Sequence, residues 1–128
     1  MRRPKPSSEA EELYQADVAL AARRAELLEA AREAETTFRQ AQARPAPVPE
    51  QRRLAEEFDA ALTAVVRAAY AAYRAEIGPR GYDDRIYRRK GRAKPRARAL
   101  LAEAGHLLTL RENHRLNEIP AVPYEPAR

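Results

Sequence analysis

The chain has no cysteine and no tryptophan. Without cysteine there is no disulfide framework, no thiolate metal site and no thiol nucleophile, and a reducing cytoplasm suits such a chain. With no Trp, only two Phe and much of the 45% hydrophobic share supplied by alanine, little area can leave water and a deep core is not expected. No apolar run reaches the ~18 residues of a membrane span, and the basic start MRRPKP lacks the apolar stretch of a signal peptide. Serine occurs only as Ser7 and Ser8, so no Ser/His/Asp arrangement is credible. Gly78-Pro79-Arg80-Gly81 lacks the Gly-Lys-Ser/Thr ending of a phosphate loop. The expectation is a protein that is not an enzyme, with no cofactor, no metal and no small-molecule substrate.

The 128 residues suit one domain or less. Glycine is scarce, at four, while the ten prolines fall in clusters that punctuate the chain. Residues 1–7 read as a basic extended arm, because Pro4 and Pro6 oppose a helix. Ser8-Glu9-Ala10-Glu11 reads as a capping box that starts a first helix over about 9–44. Leu13, Leu20, Leu27, Ala34 and Ala41 recur every seven residues along it, with Val18, Ala21, Leu28, Ala31 and Phe38 widening the stripe. That is coiled-coil spacing, interrupted by polar Asp17 and Arg24. At ~1.5 Å per residue the helix would be roughly 50 Å long, so something must lie along it.

The segment RPAPVPE ends that helix. A second helix is predicted over about 50–77, with Leu54, Phe58, Ala61, Leu62, Val65, Ala69, Ala72, Tyr73 and Ile77 on one face. Gly78-Pro79 stops it, Gly78 being free to take a positive φ. A short connection makes the two helices antiparallel neighbours. Residues 78–94 read as a basic loop, with at most a short helical turn near Asp84–Lys90. Pro95 opens a third helix over 95–117, with Leu100, Leu101, Ala104, Leu107, Leu108 and Arg111 inward. Residues 118–128 read as a Pro-rich extended tail. The predicted fold is thus all-α: a long antiparallel helical hairpin (8–77), a shorter third helix and two extended tails.

Charge is strongly segregated. Residues 78–98 carry nine basic and two acidic groups, whereas residues 8–44 carry five basic and eight acidic. The positive balance peaks in RIYRRKGRAKPRAR, residues 85–98, where Arg85, Arg88, Arg89, Lys90, Arg92, Lys94, Arg96 and Arg98 meet no acid. Such density suits a DNA or RNA backbone, since each phosphate neutralised releases counterions. Tyr82 and Tyr87 beside it are candidates for stacking on bases. An acidic protein face or plain solvation would account for the same charges, and the run matches no helix-turn-helix, zinc-finger or RNA-recognition pattern. Arg2, Arg3 and Lys5 would extend the patch if the fold brings them near. Arg96 and Arg98, on the first turn of the third helix, oppose its dipole and call for a compensating anion there.

The helical seam offers Leu13, Leu20, Leu27 and Phe38 to another chain, and the tail offers Ile119, Val122 and Tyr124 to a partner's groove. Other protein subunits, a homo-oligomer included, are therefore expected partners. His106 and His114 stand about two turns apart on one helix, ~12 Å, too far to share a metal. Glu103 and Glu118 suit simple helical contacts with them. Asp83-Asp84 suits a cap or pairing with Arg85 and Arg88 better than a Mg²⁺ site. The combined reading is a structural or adaptor subunit of a larger assembly. It could be a phage-particle connector joining head to tail, or a ribonucleoprotein component, located in the cytoplasm or a virion. The alternative is a regulatory coiled-coil protein that docks on an acidic face of an enzyme such as a polymerase or nuclease.

Overall fold

A computed structural model describes residues 5–120. Among them the fold is all-helical: α1 (Ser8–Ala21), α2 (Arg24–Ala43), α3 (Val48–Ile77), α4 (Arg85–Arg92) and α5 (Pro95–Asn117), with one 3-10 turn over Pro79–Tyr82. No helix among them is long and apolar enough to cross a membrane.

The central element is α3, which α1 and α2 cover on one side and α5 on another. It is buried around more of its circumference than one stripe allows: Leu54, Ala55, Phe58, Leu62, Val65, Val66, Ala68, Ala69, Ala71 and Ile77 are all inside. The alanines let neighbouring backbones approach closely. Opposite ends meet across each contact, with Arg44 on Glu50, Phe38 on Phe58 and Asp17 on Arg74. On the other side His114 reaches Ala55, Arg115 reaches Asp59 and Arg96 reaches Glu76.

The predicted first helix is two helices. At the break the Arg23 amide bonds to the Leu20 carbonyl, three residues back rather than four. The two seam faults flank this break and point to different elements. Asp17 accepts from Arg74 and Tyr82 (2.8 and 2.6 Å), while Arg24 pairs with Glu103 on α5 at 3.6 Å. The cap is also displaced by one residue. Ser7, not Ser8, accepts the Ala10 amide at 3.0 Å, because the Ser7 amide is itself held by Asp83 Oδ2 at 2.9 Å. The box therefore has no reciprocal glutamate bond.

The core has an aromatic centre. His114, 1% exposed, lies between Phe38 and Phe58, at 5.3 and 4.6 Å between ring centroids. A carbonyl can only accept, so its Nε2–H donates to Ala55 O at 2.7 Å, while Nδ1 faces Glu118 at 3.4 Å. His106 is exposed, so the two histidines do not share a setting. The buried stripe of α5 is Ala97, Leu100, Ala104, Leu107 and His114. Leu101, expected inside, is exposed.

Candidate nucleic-acid interface

The predicted basic loop is largely a helix. Asp84 caps α4 by accepting the Tyr87 amide at 3.0 Å. Arg89, Lys90 and Arg92 lie in its last turn, where cations suit the helix dipole. Apolar burial does not hold α4 in place; a clasp does. Gly81 and Gly91 both face Ile77, and a Cβ on either would stand 2.5 or 2.6 Å from Ile77 Cγ2. The Arg88 Nε–H donates to the Gly81 carbonyl at 2.6 Å, and the Arg80 guanidinium sits 4.5 Å over the Tyr87 ring. The chain enters this corner through Gly78, whose φ of 99° is costly for any L side chain.

The clasp turns Tyr87 and Gly91 inward, keeps exposed Arg88 at its edge, and leaves Arg85, Ile86, Arg89 and Arg92 along an outer groove. Arg85, Arg89, Lys90, Arg92, Lys94 and Arg98 are exposed, and none has an ion pair among the described residues. Two of the eight basic residues are committed inside the chain: Arg88 to the Gly81 carbonyl and Arg96 to Glu76 at 3.3 Å. The anion expected beside Arg96 is thus a carboxylate from α3. Of the two candidate stacking rings, Tyr87 lies under Arg80, and Tyr82 is anchored by its hydroxyl to Asp17. Asp83 binds Ser7 and Asp84 caps α4, so neither aspartate is spare.

A cavity of about 380 Å³ opens beside the clasp, lined by Tyr73, Arg74, Ile77, Gly81, Tyr82, Arg88 and Arg92. Nothing in the sequence spacing marks it, because its walls come from α3, the 3-10 turn and α4. Around it, burial alone would raise the Asp17 carboxyl, but hydrogen bonds from Arg74 and Tyr82 and the charge of Arg74 hold it below the ordinary carboxylate value. Burial first, then the bond to Asp17, pushes the Tyr82 phenol upward. A second cavity, about 360 Å³, lies between α2 and α5 over Phe58 and Leu62. Its rim mixes Arg32 and Arg39 with Glu35, Glu103 and Glu118, so it has no preference for an anion. There the hydrogen bond from Arg39 holds the Glu118 carboxyl low.

The residues expected at a protein interface are dispersed. Leu13 is 54% exposed, Leu20 and Leu27 are half-buried, and Phe38 is wholly inside the chain's own core. Ile119 is half-buried against that core. Val122 and Tyr124, with Arg2 and Arg3, lie outside the described residues. Among the described residues no group of three or more His, Asp or Glu is placed to hold a metal. Comparison with protein-family models, curated proteins and solved structures returns no match to this chain.

Proposed function

We propose that this chain is a non-enzymatic structural or adaptor subunit that presents α4 and the first turn of α5 to a nucleic-acid backbone. The observation that supports this is the set Arg85, Arg89, Lys90, Arg92, Lys94 and Arg98, exposed together without a carboxylate partner among the described residues. Each nucleic-acid phosphate that such a surface neutralises releases condensed counterions, which favours binding. In this reading the exposed Leu13 and Val18, continued by Leu20 and Leu27, pack coiled-coil fashion on another subunit. Two kinds of assembly fit such a subunit, a phage-type connector and a ribonucleoprotein.

Salt titration tests it. Affinity for a generic oligonucleotide should fall steeply as salt rises. Changing Arg85, Arg89, Lys90 and Arg92 to Ala should flatten the slope by about 0.7–0.9 for each phosphate no longer neutralised. Equal affinity of parent and variant at low salt sinks the reading.

One observation favours a second reading, an acidic face of a partner enzyme. Ile86 is 68% exposed in the middle of the cations, and an apolar side chain gains more from a protein surface than from phosphate. Under that reading Ile86→Ser weakens partner binding. Under the first it leaves oligonucleotide affinity unchanged.

A further inference from the structure

The cavity beside the clasp is a different kind of surface from the outer face of α4. Its walls are Tyr73, Tyr82, Ile77 and the bare backbone of Gly81; its rim is Arg74, Arg88 and Arg92. About 380 Å³ falls within the ~300–1,000 Å³ range of small-molecule sites and gives one planar ring ample room. The Tyr82 ring is fixed at both ends, its hydroxyl on Asp17 at 2.6 Å and its body edge-on to Tyr14 at 6.2 Å. The cations differ in what they can offer. Arg74 gives Nε and one terminal nitrogen to Asp17. Arg88 spends only Nε, on the Gly81 carbonyl, and keeps its terminal N–H groups. Arg92 has no ion pair among the described residues, and it belongs both to this cavity and to the groove with Arg85, Ile86 and Arg89.

An apolar aromatic chamber with a cationic mouth fits a planar ring that carries an anion. Arg92 joins that chamber to a track of unneutralised charge. We infer that the cavity receives an unpaired base of single-stranded nucleic acid. The base lodges among Tyr73, Ile77 and Tyr82, Arg88 and Arg92 hold its phosphate, and the neighbouring phosphates run along Arg89 and Arg85. The inference rests on the nucleic-acid reading above and narrows it, because a base within a duplex is stacked and paired and cannot enter. It also assigns the two surfaces separate tasks: α4 supplies affinity through charge, and the cavity selects strands with free bases.

The test uses the full chain at low salt and fluorescence anisotropy with probes of equal length: single-stranded DNA, single-stranded RNA, an abasic single strand and a duplex. Base-bearing single strands should bind about tenfold tighter than the abasic strand, the order that one stacked base contributes. A preference between the DNA and RNA arms identifies the natural strand; equal binding of both supports a pocket that reads the base alone. Tyr73→Leu, which keeps the wall apolar, should bring the base-bearing strands down to the abasic affinity and leave the abasic affinity itself unchanged. If the abasic strand binds the parent as well as the others, the pocket is wrong while the phosphate-binding face stands. A duplex that binds tighter than the single strands also overturns the pocket. If no probe binds at low salt, both the pocket and the nucleic-acid reading fall.

Discussion

The bundle body and the α4 end treat arginine in opposite ways. Along α2, α3 and most of α5, arginines face carboxylates: Arg24 on Glu103, Arg39 on Glu118, Arg52 on Glu56, Arg53 on Glu57, Arg74 on Asp17 and Arg115 on Asp59. Among the described residues Arg67 is an exception. At the α4 end Arg80 and Arg96 still meet Asp84 and Glu76, but Arg85, Arg89, Lys90, Arg92, Lys94 and Arg98 face water without an ion pair among the described residues. Exposed ion pairs contribute little to stability, about 0–1 kcal/mol each. The contrast therefore concerns what each surface leaves for a ligand. The body neutralises itself, and the α4 end does not. The two regions are also held differently. The body rests on side-chain burial, whereas α4 rests on close backbone approach around one isoleucine.

The largest expected effect lies in the body. Phe38→Ala removes a fully buried ring from the centre that holds Phe58 and His114, and it should cost about 3–5 kcal/mol. Urea unfolding followed by circular dichroism would show the midpoint fall. A change below about 1 kcal/mol would mean the body is not the stable part.

Gly91→Val comes next. Its Cβ would meet Ile77 Cγ2 at 2.6 Å, so α4 must move or Ile77 must repack. Overpacking of this kind costs about 1–3 kcal/mol. Hydrogen exchange should show faster opening over 85–92 with α3 protected as before. Uniform loss of protection would show that the two regions unfold as one.

Asp17→Asn should cost about 1 kcal/mol, since charged hydrogen bonds exceed this when buried and Arg74 is half exposed. The Asp17 carboxyl lies below its ordinary 3.8 in the folded chain. The stability it adds is complete well above that value and is lost as pH falls through the lowered one. Parent and variant Tm values should therefore converge in acid. Glu118, held below its ordinary 4.5, follows the same sign.

The smallest stability effect should come from the variant with Arg85, Arg89, Lys90 and Arg92 changed to Ala. Without carboxylates to forfeit, its unfolding free energy should stay within about 0.5 kcal/mol of the parent. A clear gain would point to relief of mutual repulsion and sharpen the contrast. A clear drop would mean these side chains hold the fold after all.

Much of the helical layout was legible because proline and glycine enforce it locally. Pro95 at the first turn of α5, Gly78-Pro79 after α3 and the prolines of 45–49 each act within a few residues. The features that escaped depend on distant partners. Ser7 becomes the cap because Asp83, far along the chain, holds its amide. His114 is buried because Ala55 offers a carbonyl and two phenyl rings flank it; the sequence showed only its helical contact with Glu118. The break at Ala22–Arg23 has neither proline nor glycine to announce it. For α4, the residue that packs is a glycine, and a hydrophobic pattern cannot register a missing side chain. The candidate cations were visible as a run, but which were spare was not. Arg96 is satisfied by Glu76 on α3, a pairing that only the fold makes. The cavity was illegible because α3, the 3-10 turn and α4 build it together and no one of them encloses it.

The clasp around Ile77 has a consequence for how the basic end can change. It fixes the third and seventh positions of α4, a tyrosine under Arg80 and a glycine against Ile77, and asks little of the residues facing water. Those outward positions can be rewritten, charge by charge, without disturbing the bundle beneath. The α4 end is in that sense an exchangeable cassette on a fixed socket, its outer charges open to change while the rest of the chain keeps its shape.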